Sequence, residues 1–280
     1  MISHSGIAWS ARLIVCLAAL SALSACGPDL VGLAEGETAV VADAEGPTRL
    51  RLDSGLLVFL AEIQAPDAEA ERPTQDGLAA LTEGRTALLA YGERRRIALR
   101  NGEEAALAHV FVKSESGAWV WVQRALVEEG LAIVRPRPGE TARAATLLPF
   151  EAQARAAGLG AWADARVQPR SIALFTLEAA QLDSGCNRGP YRLIEGTVDH
   201  IGATPTGMYL NFGPPGTEQE DATARILGAD LDAWRAAGVD VSALAGATVR
   251  LRGPVGYGGG PLLCLEHPLA LERLDTAPLP

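Results

Sequence analysis

Leu56-Leu57-Val58-Phe59-Leu60-Ala61-Glu62-Ile63-Gln64-Ala65-Pro66-Asp67 is the stretch on which the fold turns. Its first half is an apolar run of strand length. Asp53-Ser54-Gly55 separates it from Arg49-Leu50-Arg51-Leu52, and Glu45-Gly46-Pro47 separates that run from Ala39-Val40-Val41-Ala42. Short runs divided by glycine, proline and small polar residues read as successive strands, because the dividers favour turns. Residues 26–37, upstream, are polar with glycine and proline and read as a tether.

Downstream, Leu78, Leu81, Leu88 and Leu89 sit near helical spacing with charges between them, which predicts a helix over 75–90. Arg95-Arg96-Ile97-Ala98-Leu99-Arg100 reads as a strand. Asn101-Gly102 is a hairpin dipeptide, and 106–112 is the return strand. Residues 119–130 begin as strand and become a helix that Gly130 ends. A further helix covers 141–158, and 166–182 is a connector with a short helix near 172–182. Strand-like runs then recur at 192–198, 208–212, 248–253 and 261–266. Between them a helix over 230–237 has Asp230 as its cap and Gly238 as its stop. Short strands about one helix suggest a small Greek-key barrel of the OB type over 183–275.

The amino terminus speaks to location. Ile14-Val15-Cys16-Leu17-Ala18-Ala19-Leu20 is apolar, follows Arg12 and ends in small residues, the pattern of a secretory signal too short to be a spanning helix. Leu23-Ser24-Ala25-Cys26 resembles a bacterial lipobox, which implies cleavage after residue 25 and a lipid on Cys26. A plain signal peptide with an incidental Cys26 is the alternative. Gly27 rather than an aspartate after that cysteine resembles outer-membrane sorting in bacteria. Cys186 and Cys264 remain, and in an oxidising compartment they are expected to form a disulfide rather than stay as two free thiols. The whole chain of 280 residues carries a formal charge of -10, which becomes -11 when Arg12 leaves with the leader. Such a charge gives no general attraction to nucleic acid or anionic lipid. With Lys113 the only lysine, arginine supplies nearly all the positive charge.

Four pieces in order resemble the staphylococcal-nuclease-like, or thermonuclease, family. Val58-Phe59-Leu60-Ala61-Glu62-Ile63-Gln64-Ala65-Pro66-Asp67 is similar to its V-R-L-x-G-I-D-A-P-E segment. Leu107-Ala108-His109-Val110-Phe111 is similar to its L-A-x-V-x strand. Gln123-Arg124-Ala125-Leu126-Val127-Glu128-Glu129-Gly130-Leu131-Ala132 resembles N-x-x-L-V-x-x-G-L-A. Glu151-Ala152-Gln153-Ala154, followed by Gly160-Ala161-Trp162, resembles the last helix and its G-x-W end. The resemblance covers 38–165 and implies an OB barrel with three helices. Residues 183–275 resemble an OB-like domain that follows the nuclease domain in some bacterial members. The implied class is therefore mainly β with helices (α+β), a nuclease-like OB barrel followed by a second small OB-like barrel.

The same resemblance implies a calcium held by carboxylates and a phosphate clamped by two arginines. Position by position, this chain departs from that set. The first clamp arginine falls on Phe59, a ring with no donor. The metal aspartate falls on Gln64, a neutral amide. The glutamate falls on Asp67, one methylene short. The second arginine falls on Ala105, next to Glu103 and Glu104. Asp43 and Glu45 are weak candidates for the remaining calcium ligand. With those losses no catalytic residue, no metal site and no cofactor are expected, and the reading is a degenerate nuclease domain acting as an envelope binding or scaffolding module. The expected partners are the membrane, through the lipid, and an envelope protein or polymer. The alternatives are an active calcium-dependent envelope nuclease and an oligosaccharide-binding OB protein. Aromatics at 5% weigh against the last.

Other groups read as structural. Arg94, Arg96 and Arg100 alternate along a strand edge, and Arg135 and Arg137 alternate with prolines in a stiff loop. His109, His200 and His267 stand apart with no acid or nucleophile at a telling spacing. Trp119 and Trp121 share a face and read as core, and 256–260 is a hairpin loop.

Overall fold

A computed structural model describes residues 27–179, 185, 189–216 and 221–275. The leader, Cys26 and Cys186 lie outside the described residues. The amino-terminal half comprises β1 (Ala34–Gly46), β2 (Arg49–Leu52), β3 (Leu57–Leu60), β4 (Ile63–Gln64), α1 (Glu71–Thr82), β5 (Thr86–Tyr91), β6 (Arg96–Ala98), β7 (Glu104–Lys113), β8 (Trp119–Trp121), α2 (Val122–Glu128), β9 (Ile133–Val134) and α3 (Ala144–Ala156). Strands β1, β2, β3, β7 and β5 close a five-stranded ring. All its pairings are antiparallel except β3 with β7, which is parallel. This is a closed, OB-like barrel. It closes because β1 is long and irregular in register at Glu35/Thr38 and again between Val41 and Gly46, so one strand bends to serve both sides of the ring. Its core is Leu50, Leu52, Val58, Leu60, Leu78, Leu89, Val110 and Leu126, each at most 3% exposed.

Two expectations are corrected here. The strand begins at Ala34, inside the stretch read as tether. The helix expected over 75–90 is two elements, α1 ending at Thr82 and β5 beginning at Thr86. Glu83 (φ -59°, ψ 134°) and Gly84 (φ 71°) form a type II turn that Arg85 N closes by donating to Thr82 O at 3.0 Å. Leu88 and Leu89 therefore belong to a barrel strand. It is buried from Ala87 to Tyr91, so its sequence lacks the alternation of a half-exposed strand.

The carboxyl-terminal half comprises β10 (Arg170–Ser171), α4 (Ile172–Ala179), β11 (Tyr191–Thr197), β12 (His200–Thr204), β13 (Gly207–Asn211), β14 (Thr223–Leu227), α5 (Leu231–Ala236), β15 (Thr248–Tyr257), β16 (Pro261–Cys264) and β17 (Leu271–Arg273). The pairing order is β11–β15–β16–β14–β13–β12, with β14 parallel to β16. β11 and β12 adjoin through Val198 and Asp199. Val198 N donates to Ala247 O and Asp199 N to Asn211 O, so the chain changes pairing partner between neighbouring residues. β12 and β14 had no strand reading of their own in the sequence. Asp230 is also corrected: its side chain makes no capping hydrogen bond, and a 3-10 turn over Gly228–Asp230 leads into α5 instead.

A buried seam joins the halves. Ile133, Ala154 and Trp162 pack on Tyr191 and Leu193. Beside them Arg252 donates to both carboxylate oxygens of Glu151 (2.8 and 2.9 Å) and to Val134 O (3.1 Å). Glu151 also accepts from Val134 N at 2.6 Å and from Arg155 Nη1 at 3.2 Å.

Candidate functional site: a cleft between the two halves

Two of the four positions that the resemblance singles out meet at one place. Gln64 ends β4, Asp67 precedes α1, and both line a cleft of about 540 Å³ whose other wall is Tyr191 and its neighbours from the second half. Phe59 and Ala105 lie elsewhere. In the parallel β3–β7 register Phe59 faces Leu107, which puts Phe59 and Ala105 on one face of that strand pair. The Arg49 guanidinium lies 6.0 Å from the Phe59 ring centre, and Ala105, paired with Ile97 on β6, is wholly buried.

Inside the cleft the polar groups are already engaged with one another. Gln64 Oε1 accepts from Arg135 Nη1 at 2.7 Å. The Arg135 guanidinium also lies 5.1 Å from the Tyr191 ring centre, with Nη2 3.7 Å from Glu266. Burial, and then the charge of Arg137, pulls the Arg135 pKa below the ordinary arginine value. Burial pushes the Tyr191 phenol up. Arg166 donates to Glu69 Oε1 at 2.6 Å and from Nε to both oxygens of Asp164 at 3.1 Å. Those hydrogen bonds hold Asp164 down to about 2 and lower Glu69 as well. Asp67 Oδ1 accepts from Ala70 N at 2.8 Å and so supports the start of α1.

The residues present do not fit a calcium clamp. Gln64 gives its oxygen to an arginine, and Glu45 gives both oxygens to Arg51 at 2.7 and 2.9 Å. Asp43 is exposed on β1, opposite Arg51 in the register. Among the described residues no group of three or more histidine, cysteine or acidic side chains converges on a metal-sized site. The described cleft lining has no histidine or cysteine.

The structure makes further changes to the sequence reading. Arg135, read as part of a stiff loop, reaches the cleft. Arg94 pairs with Glu140 at 3.1 Å, and Arg96 lies 5.5 Å from the Tyr91 ring centre. His109 is buried, with Nε2 3.3 Å from Glu62. Glu62 takes a left-handed backbone (φ 67°) and accepts from Arg143 N at 3.1 Å. Glu62 falls on the glycine of the V-R-L-x-G-I-D-A-P-E segment, which is consistent with its left-handed backbone, while nothing in the sequence singled out Arg143. Only a dihedral and an 81-residue separation bring them together.

No protein-family model matches the chain, and no curated protein matches it. The fold and the site define a class and no more than that: an α+β protein, mostly strands, built on a closed five-stranded OB-like barrel with few helices.

Proposed function

We propose that this protein is a lipid-anchored envelope protein whose two tandem OB-type barrels form a binding or scaffolding module, on a nuclease-like framework without its hydrolytic set. The observation that carries this reading is the Gln64–Arg135 hydrogen bond. The position where the family resemblance implies a metal carboxylate is a neutral amide committed to an arginine of the same chain. Ala105 supports it, because a wholly buried methyl cannot clamp a phosphate. The buried Arg252–Glu151 seam, which fixes one half against the other, suits a scaffold.

The Cys186–Cys264 bridge belongs to the same proposal. Gly185 N donates to Tyr257 O, and Gly189 lies against Val255. These glycines flank position 186 and sit on β15, whose partner strand β16 carries Cys264.

The test is cleavage of denatured DNA and RNA by the mature chain with calcium or with EDTA, alongside melting in both. We expect no calcium-dependent cleavage and no calcium-dependent rise in Tm, since a ligand that binds only the native state must stabilise it. Calcium-dependent cleavage would overturn the reading in favour of an active nuclease. A Phe59→Arg, Gln64→Asp variant asks whether the framework can be restored. Ala105→Arg is left out because it would place an unpaired charge in a closed site.

A further inference from the structure

The stretch expected to be a free tether is clamped. Arg143 Nη2 donates to Asp29 Oδ2 at 2.8 Å, and Nη1 donates to Val31 O at 3.0 Å. The guanidinium is itself held 4.6 Å from the Trp121 ring centre, and Arg143 is only 6% exposed. Residue 26 is three residues before Asp29, so its reach from the clamp is at most about 11 Å. Gly27 and Pro28 line a groove of about 940 Å³ whose other walls include Trp119, Trp121, Phe111 and Phe150. Whatever holds residue 26 must lie beside this groove.

The groove's chemistry is that of a membrane interface. Trp119 and Phe150 are half-buried and Trp121 is nearly covered. Cations lie over the rings: Lys113 Nζ is 5.2 Å from Trp119, and Arg124 is 4.1 Å from Phe150. Arg124 is neutralised by Glu128 at 2.8 Å, and Arg143 by Asp29. Tryptophan and cationic side chains with apolar stems suit the boundary between headgroups and acyl chains. Paired charges suit it too, because a chain with net charge -10 gains nothing from long-range attraction to anionic lipid. Among the described residues no helix is long and apolar enough to cross a membrane.

We infer that the face bearing Trp119, Trp121, Phe150 and Arg124 docks on the phospholipid bilayer, held there by the short clamped segment that follows a lipid on Cys26. The inference rests on the lipid-anchor reading. It fixes the orientation of the molecule: the Trp119 groove faces the lipid, and the second barrel extends from the first, linked through the Arg252–Glu151 seam.

The experiment reconstitutes the full chain, produced with its leader and extracted from membranes, into phosphatidylethanolamine/phosphatidylglycerol vesicles. The vesicles contain phosphatidylcholine with a doxyl quencher high on its acyl chain. Mass spectrometry of the amino-terminal peptide first establishes whether Cys26 carries lipid. If it does not, the anchor reading fails, and coupling Cys26 of the mature chain to a maleimide-headgroup lipid tests the docking face alone. We expect the quencher to lower tryptophan emission, Trp119→Phe to remove part of that loss and Trp119→Phe, Trp121→Phe to remove most of it, since Trp162 and Trp234 are buried elsewhere. Amide exchange along β8 is expected to slow in the anchored protein relative to Cys26→Ser in solution, a readout that needs no change in the groove. An anchored protein with unquenched Trp119 and unchanged β8 exchange would overturn the inference.

Discussion

Several single side chains in this protein act by satisfying backbone groups. Gln123 is wholly buried. Its Nε2 donates to Ala108 O at 2.9 Å and its Oε1 accepts from Val110 N at 3.1 Å, so one amide ties α2 to β7. Gln123→Ala orphans two buried backbone groups and is expected to cost about 2–4 kcal/mol, read by urea denaturation. His267 works through its proton. Its Nδ1 accepts from Leu269 N at 3.1 Å at the start of a 3-10 turn, and burial lowers its pKa. A depressed histidine pKa means the folded state disfavours the cation. Its contribution is therefore complete above the unfolded pKa, near 6.5, and is lost as pH falls through the lower folded value. Tm should fall on acidification below about pH 6.5, and His267→Asn, which keeps an acceptor without a titrating proton, should flatten that dependence.

At the scale of elements, the decisive feature is the turn between α1 and β5. Helix and strand there are both leucine- and alanine-rich, and the boundary is set by backbone angles at Glu83 and Gly84. Nothing lies within 4 Å of a Cβ placed on Gly84, so Gly84→Ala changes only the cost of the left-handed conformation. It should lower stability by about 1 kcal/mol without altering the far-ultraviolet circular dichroism. Other elements were plain in the sequence for reasons that survive folding. Asn101-Gly102 turns the β6–β7 hairpin with Gly102 at φ 84°, and Gly130 ends the α2 segment at φ 69°. Gly130 and Gly160 also let two backbones meet, where a Cβ on either would collide with a carbonyl of the other segment.

For the whole molecule the question is what makes two halves one body. Glu151 is 0% exposed and Arg252 5%, and each meets the other across the seam. Glu151→Ala leaves a buried guanidinium without its partner and should cost about 3–5 kcal/mol. In calorimetry we expect it to split one unfolding transition into two. The Glu151→Leu, Arg252→Leu double variant should cost less than the single change, because no charge is then stranded.

Sequence by itself determined the elements whose signals are local. These include the β6–β7 hairpin, the α2 segment, the barrel strands β2, β3 and β7, and the residue identities at Phe59, Gln64, Asp67 and Ala105. Tertiary structure alone decided where α1 gives way to β5, that Arg135 reaches Gln64 and that Arg143 clamps Asp29. It also decided that Arg252 closes on Glu151, 101 positions away. The physical reason is one of range. Turn dipeptides and hydrophobic period act between near neighbours, whereas a buried arginine chooses its carboxylate only after the two halves have removed both from water.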